Sequence, residues 1–92
     1  MRVNKRRSDI EIIAEMLTIG KIGAGKTEIM YSVNMSYSQM QKYLGYLLNE
    51  GFINSTRNGN PSVYFRVTEK GKHLLQLLTN VKEMLRLDYV IS

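Results

Sequence analysis

Residues 27–51, TEIMYSVNMSYSQMQKYLGYLLNEG, hold two helical periods separated by a short break. Thr27 is placed to cap a short helix from Glu28 to about Val33, with Ile29, Met30 and Val33 facing inward. Asn34-Met35-Ser36 interrupts the pattern. Ser36 or Ser38 then caps a longer helix that runs to about Asn49. Its apolar positions Met40, Tyr43, Leu44, Leu47 and Leu48 follow i, i+3, i+4, i+7, i+8 spacing, and Gly51 stands where a C-terminal cap is expected. A short helix, a tight break and a longer helix make a helix-turn-helix.

Upstream, Ser8 or Asp9 caps a first helix to about Thr18. Ile10, Ile13, Ala14 and Leu17 form one stripe on it, and Ile12, Met16 and Ile19 form a second, so this helix has two surfaces to cover. The glycine-rich GKIGAGK segment, residues 20–26, reads as a turn or loop. Downstream, FINSTRNGNPSVYFRVT (residues 52–68) changes period. Asn58-Gly59 signals a hairpin turn, Phe52-Ile53 leads into it, and Val63, Phe65 and Val67 alternate after it. Thr68 caps a last helix reaching Leu87 or Tyr89. The expected fold is mainly α with a small β-hairpin: a winged helix-turn-helix followed by a long C-terminal coiled-coil helix. Residues 1–68 make the winged helix-turn-helix domain with a basic N-terminal arm, and residues 69–92 the dimerisation helix.

The chain has 92 residues, enough for one small domain, and a domain of that size buries a modest core. It has no cysteine, and a single histidine, His73, leaves little for a metal site. No apolar run reaches the ~20 residues that cross a bilayer, and the basic start MRVNKRRSD lacks the apolar stretch of a signal peptide. A soluble, cytoplasmic protein is expected. Thirteen Lys and Arg against eight Asp and Glu give a net charge of +5. Arg2, Lys5, Arg6 and Arg7 form an arm with no acid in it, and Arg57 and Arg66 flank the hairpin turn. This balance suits a polyanionic partner, and an ordinary basic surface is the plain alternative.

Gly20 to Thr27 matches the phosphate-loop pattern GxxxxGK[ST] in full. That motif needs a buried strand before it, a helix after it, a parallel sheet and a second acidic motif. Here the preceding segment reads as an amphipathic helix carrying Asp9, Glu11 and Glu15, so no nucleotide is expected to bind. Glycines that turn the chain between two helices are the simpler account. With one histidine and scattered acids, no catalytic pairing can be argued, and neither an enzyme nor a cofactor is expected.

With its apolar side turned inward, the third helix presents Ser38, Gln39, Gln41, Lys42, Gly45, Tyr46 and Asn49, and no acid before Glu50. Gln pairs with adenine edges, Ser and Tyr reach phosphates, and Lys neutralises one. Ser36, Tyr37, Ser38, Gln39, Gln41 and Lys42 are therefore the candidate contacts in the major groove. Lys26 and Thr27 at the start of helix 2, Arg6 and Arg7 in the arm, and Arg57 and Asn58 at the wing are candidates for the DNA backbone or minor groove. A solvated polar helix face would carry similar residues, and a winged helix that binds proteins instead of DNA is the competing reading.

Leu74, Leu78, Val81 and Leu85 recur at heptad spacing in the last helix, and Leu75, Leu77 and Met84 widen the stripe. A face this broad exceeds what one small core needs. A homodimer through this helix is expected, with helix 1 sharing the interface.

The segment from Ile12 to Leu77 resembles the archaeal ten-kilodalton winged-helix DNA-binding proteins that dimerise through an antiparallel coiled coil, described as chromatin-associated proteins or predicted transcriptional regulators. The residues that carry the resemblance are Thr27-Glu28-Ile29, Gln41-Lys42-Tyr43-Leu44, Leu47 to Ile53, Tyr64, and Val67-Thr68-Glu69-Lys70-Gly71, with the basic stretch Lys5 to Ser8. The resemblance implies a nucleoid-associated dimer with two DNA-reading heads at the ends of a rod. It departs from that pattern in the Gly20–Gly25 stretch and in a recognition helix whose only basic residue is Lys42. Phosphate contacts then fall to the arm, Lys26 and the wing.

Overall fold

Ser8 opens the first helix, α1 (Asp9–Ile19), with a reciprocal capping box. Its hydroxyl accepts the Glu11 N–H at 3.2 Å, and its own N–H donates to the Glu11 carboxylate at 3.1 Å. The computed structural model describes residues 8–57 and 63–85. Arg6 and Arg7, the Asn58-Gly59 turn and the expected end of the last helix at Leu87 or Tyr89 lie outside the described residues. The element order is α1, α2 (Lys26–Val33), α3 (Tyr37–Asn49), β1 (Ile53–Arg57), β2 (Val63–Val67) and α4 (Glu69–Leu85). No helix among the described residues is long and apolar enough to cross a membrane.

Both apolar stripes of α1 reach the core, Ala14 and Leu17 from the first and Ile12 and Met16 from the second. Ile13 and Ile19 pack partly against the core, whereas Ile10, in the first turn, stays exposed. Around Met16 and Leu17 close Ile29 and Val33 of α2, Met40, Leu44 and Leu47 of α3, and Ile53 of β1, all fully buried. Among the described residues no polar or charged side chain is buried. The domain is thus held chiefly by apolar burial, at about 1.5–3 kcal/mol for each large side chain.

The structure corrects the expected start of α2. Its N-cap is Gly25, and Thr27 lies inside the first turn. The reason is Glu28, which stands three residues after Gly25 and accepts the Gly25 N–H at 2.9 Å, so the end is capped without a hydroxyl. Asn34 closes α2 in the left-handed conformation (φ 54°), which a short polar side chain tolerates. Ser36 then caps α3 by accepting the Gln39 N–H at 3.2 Å. At the other end of α3, Gly51 (φ 80°) donates to Leu48 and Phe52 donates to Leu47, which together form a Schellman motif.

β1 and β2 pair antiparallel, Ile53 opposite Val67 and Arg57 opposite Val63. Ile53, Phe65 and Val67 turn into the core; Asn54, Thr56, Tyr64 and Arg66 are exposed. The glycine-rich connection between α1 and α2 is more than the expected loop. Ala24 pairs with Phe65 through two hydrogen bonds of 3.1 and 2.8 Å, and Val67 donates to the Gly20 carbonyl at 2.9 Å. This segment therefore acts as a one-residue third strand. Gly23 (φ 102°) beside it lies under the Arg66 guanidinium, where a Cβ would come within 3.3 Å.

Thr68 caps α4 as expected, its hydroxyl accepting the Gly71 N–H at 3.0 Å. Gly71 is buried so tightly that a Cβ there would lie 2.2 Å from the Phe52 carbonyl oxygen. Leu75 belongs to the core, while Leu74 and Leu78 are half-buried against it. Farther along α4, Leu77, Val81, Met84 and Leu85 are exposed.

Candidate nucleic-acid interface

The outward surface of α3 carries Tyr37, Ser38, Gln39, Gln41, Lys42, Gly45, Tyr46 and Asn49, all exposed. Lys42 is the only charged residue from Tyr37 to Asn49. Ser38, Gln41, Lys42 and Gly45 follow helical spacing, so they share one face. Ser36 stands at the cap, where its hydroxyl oxygen already accepts the Gln39 N–H and its proton is left to donate.

Lys26 at the first turn of α2 reaches the start of α3. Its ammonium donates to the Tyr37 hydroxyl at 3.4 Å and lies 5.7 Å from the ring centre. Two candidates chosen independently from the sequence are thereby brought together, and Thr27 is exposed next to them. Arg57 is on a separate element, exposed at the end of β1 next to the wing tip. Arg6, Arg7 and Asn58 lie outside the described residues.

A residue absent from the sequence-based candidates joins this surface. Tyr64 projects from β2 into an open groove of about 520 Å³, lined also by Gly25, Lys26, Thr27 and Glu28. Its signal was the alternation of Val63, Phe65 and Val67, which puts Tyr64 on the outward side. Behind the surface, the Tyr43 hydroxyl donates to the Asp9 carboxylate at 2.5 Å, tying α3 to the start of α1. That bond favours the neutral phenol, and partial burial and the negative charge of Asp9 act the same way, so the Tyr43 pKa is raised.

The GxxxxGKT segment follows α1, not a strand, and its Ala24 is engaged by an antiparallel hairpin. The Gly25 N–H, which a phosphate loop would direct at its ligand, is taken by Glu28.

A family model described as winged helix-turn-helix matches residues 6–86. The chain belongs to the winged helix-turn-helix family. Among curated relatives of this winged helix-turn-helix chain, the uncharacterized protein MJ0287 of Methanocaldococcus jannaschii is 36% identical over 81 residues, covering 87% of this chain and 78% of that protein. MJ0290 of the same organism is 34% identical over 85 residues, and the match spans 91% of this chain but only 36% of the longer relative. Among solved structures, Sso10a-2, a DNA-binding protein from Sulfolobus solfataricus, superposes with a TM-score of 0.77 at 27% identity, covering 91% of this chain and 87% of that one. The PcaV transcriptional regulator of Streptomyces coelicolor has a TM-score of 0.73 at 12% identity, over 96% of this chain and 64% of that one, and so shares the fold alone.

Proposed function

We propose that this winged helix-turn-helix chain binds double-stranded DNA as a homodimer, with α3 in the major groove and the hairpin wing on the backbone or minor groove. The observation that carries the reading is the exposed α3 face: Ser38, Gln41 and Lys42 project from one side of a helix that has no carboxylate along its length. Amide, hydroxyl and ammonium groups in that arrangement supply base-edge and phosphate contacts. Lys26, Thr27, Ser36, Tyr37 and Gln39 border that face, and Arg57 provides the wing's cation, with Arg6, Arg7 and Asn58 extending the contact. The similarity to Sso10a-2 supports the same reading.

The dimer rests on α4. Leu77, Val81, Met84 and Leu85 are between 47% and 82% exposed in the single chain, an apolar surface that a second copy covers by coiled-coil packing. Leu74 and Leu78 divide their surface between this seam and the chain's own core. Residues 1–68 then serve as the reading head and 69–92 as the dimerisation helix. The role is architectural on chromatin or regulatory at chosen sites, which places the protein with the nucleoid.

The test is fluorescence anisotropy on a random-sequence duplex of about 25 base pairs titrated across salt, where each neutralised phosphate contributes about −0.9 to the slope of log K against log salt. Binding that is micromolar at low salt and weakens steeply as salt rises is the expected result. Flat or absent binding on this duplex and on genomic fragments would leave the protein-interaction reading.

A further inference from the structure

Gly45 lies in the middle of α3, exposed, and a Cβ built on it would meet no heavy atom within 4 Å. The contrast with other glycines is direct. Gly71 has the Phe52 carbonyl against it, and Gly51 adopts a positive φ that closes the helix. Gly45 has neither reason. A glycine in a helix interior weakens the helix relative to alanine, because its backbone has more freedom to lose on folding. α3 therefore carries a weakening residue that no contact within the described residues requires, at the centre of its outward face. Gln41 and Lys42 stand one turn before it and Asn49 one turn after it.

We propose that Gly45 is the point of closest approach between α3 and DNA, where the missing side chain lets the sugar-phosphate backbone rest against the helix backbone. The helix then sits deeper in the groove, and Gln41 and Lys42 reach base edges and phosphate from a shorter distance. Any side chain at this position acts as a spacer and lifts the whole face. This placement rests on the DNA-binding reading and adds a positioning residue to it.

Gly45→Ala and Gly45→Gln separate the fold from the contact, because they move stability and affinity in opposite directions. Thermal unfolding of Gly45→Ala is expected to rise by about 4 °C. In the same preparation, affinity for the random 25-base-pair duplex is expected to fall roughly ten-fold, with a larger fall for Gly45→Gln. Sedimentation equilibrium of both variants is expected to match the parent chain. A stabilised Gly45→Ala that binds the duplex as well as the parent overturns the placement while leaving DNA binding standing. A lowered unfolding temperature overturns it too, by showing that the fold needs the glycine. So does a changed self-association with unchanged DNA affinity, which would put a protein surface against the helix. If the parent chain binds no duplex at all, the DNA reading and this placement fall together.

Discussion

The Thr68 hydroxyl donates to the Gly51 carbonyl at 2.7 Å while accepting the Gly71 N–H, so one side chain joins the end of α3 to the start of α4. The Thr68 N–H adds a bond of 3.0 Å to the Phe52 carbonyl. Loss of the hydroxyl removes a cap and leaves the part-buried Gly51 carbonyl without this partner. Thr68→Val is expected to cost about 1–2 kcal/mol in urea unfolding, with Thr68→Ser keeping most of the stability.

Gly71 sets the approach of α4 to Phe52. A methyl group there would collide with the Phe52 carbonyl and the Val67 side chain, and the Phe52 backbone cannot swing aside. Gly71→Ala is expected to destabilise the chain by about 3 kcal/mol, measured by thermal or chemical unfolding, because overpacking forces backbone shifts. A loss below the usual surface range would mean that α4 adjusts freely.

The Tyr43–Asp9 bond gives the fold a signature at alkaline pH. The folded-state pKa of Tyr43 is raised above its ordinary value of 10.0. The stabilisation is therefore fully present below pH 10.0 and is lost as pH rises through the folded pKa, because the unfolded chain releases the proton first. The stability difference between the parent chain and Tyr43→Phe should be constant below pH 10 and shrink above it.

Lys42 and Gln41 are adjacent on α3 but differ in what they offer DNA. Lys42→Ala should weaken duplex binding at low salt and reduce the salt slope by about 0.9, as one fewer phosphate is neutralised. Gln41→Ala should leave the slope unchanged and lower the preference among duplexes of different sequence. Titrations across salt with two unrelated duplexes distinguish the two behaviours.

Val81 and Leu85 are exposed on the last turns of α4. Replacing both with Glu places charge where a second copy packs. Sedimentation should show the parent as a dimer and the double variant as a monomer with the same helical content. A parent chain that sediments as a monomer at 100 μM would remove the dimer.

The helices and the hairpin could be read because their apolar spacing and caps are local properties of the chain. Met40, Leu44 and Leu47 are buried as their spacing required, and Ser36 and Thr68 cap the helices assigned to them. The start of α2 departs from the capping rule that points to Thr27: hydroxyl residues are favoured caps, whereas Gly25 borrows the carboxylate of Glu28. The pairing of Ala24 with Phe65 left no local trace, since a single bridging residue has no alternation and its flanking glycines argue against a strand. The Lys26–Tyr37 and Asp9–Tyr43 contacts are tertiary, made by residues far apart in the chain, so spacing rules do not register them.

The bridge between Ala24 and Phe65 also constrains the order in which the molecule assembles. β2 has its second partner only after the chain has closed a long loop that encloses α2 and α3, and closing such a loop costs entropy before any contact rewards it. Ala24 can therefore join β2 only once α2 and α3 have folded between them, whereas β1 and β2 are neighbours in the chain and pair locally. Once formed, the bridge engages the Phe65 N–H with a segment remote in the chain. Hydrogen exchange at the Ala24 and Phe65 amides is therefore expected to be slowed together and to be released together when the bridge opens.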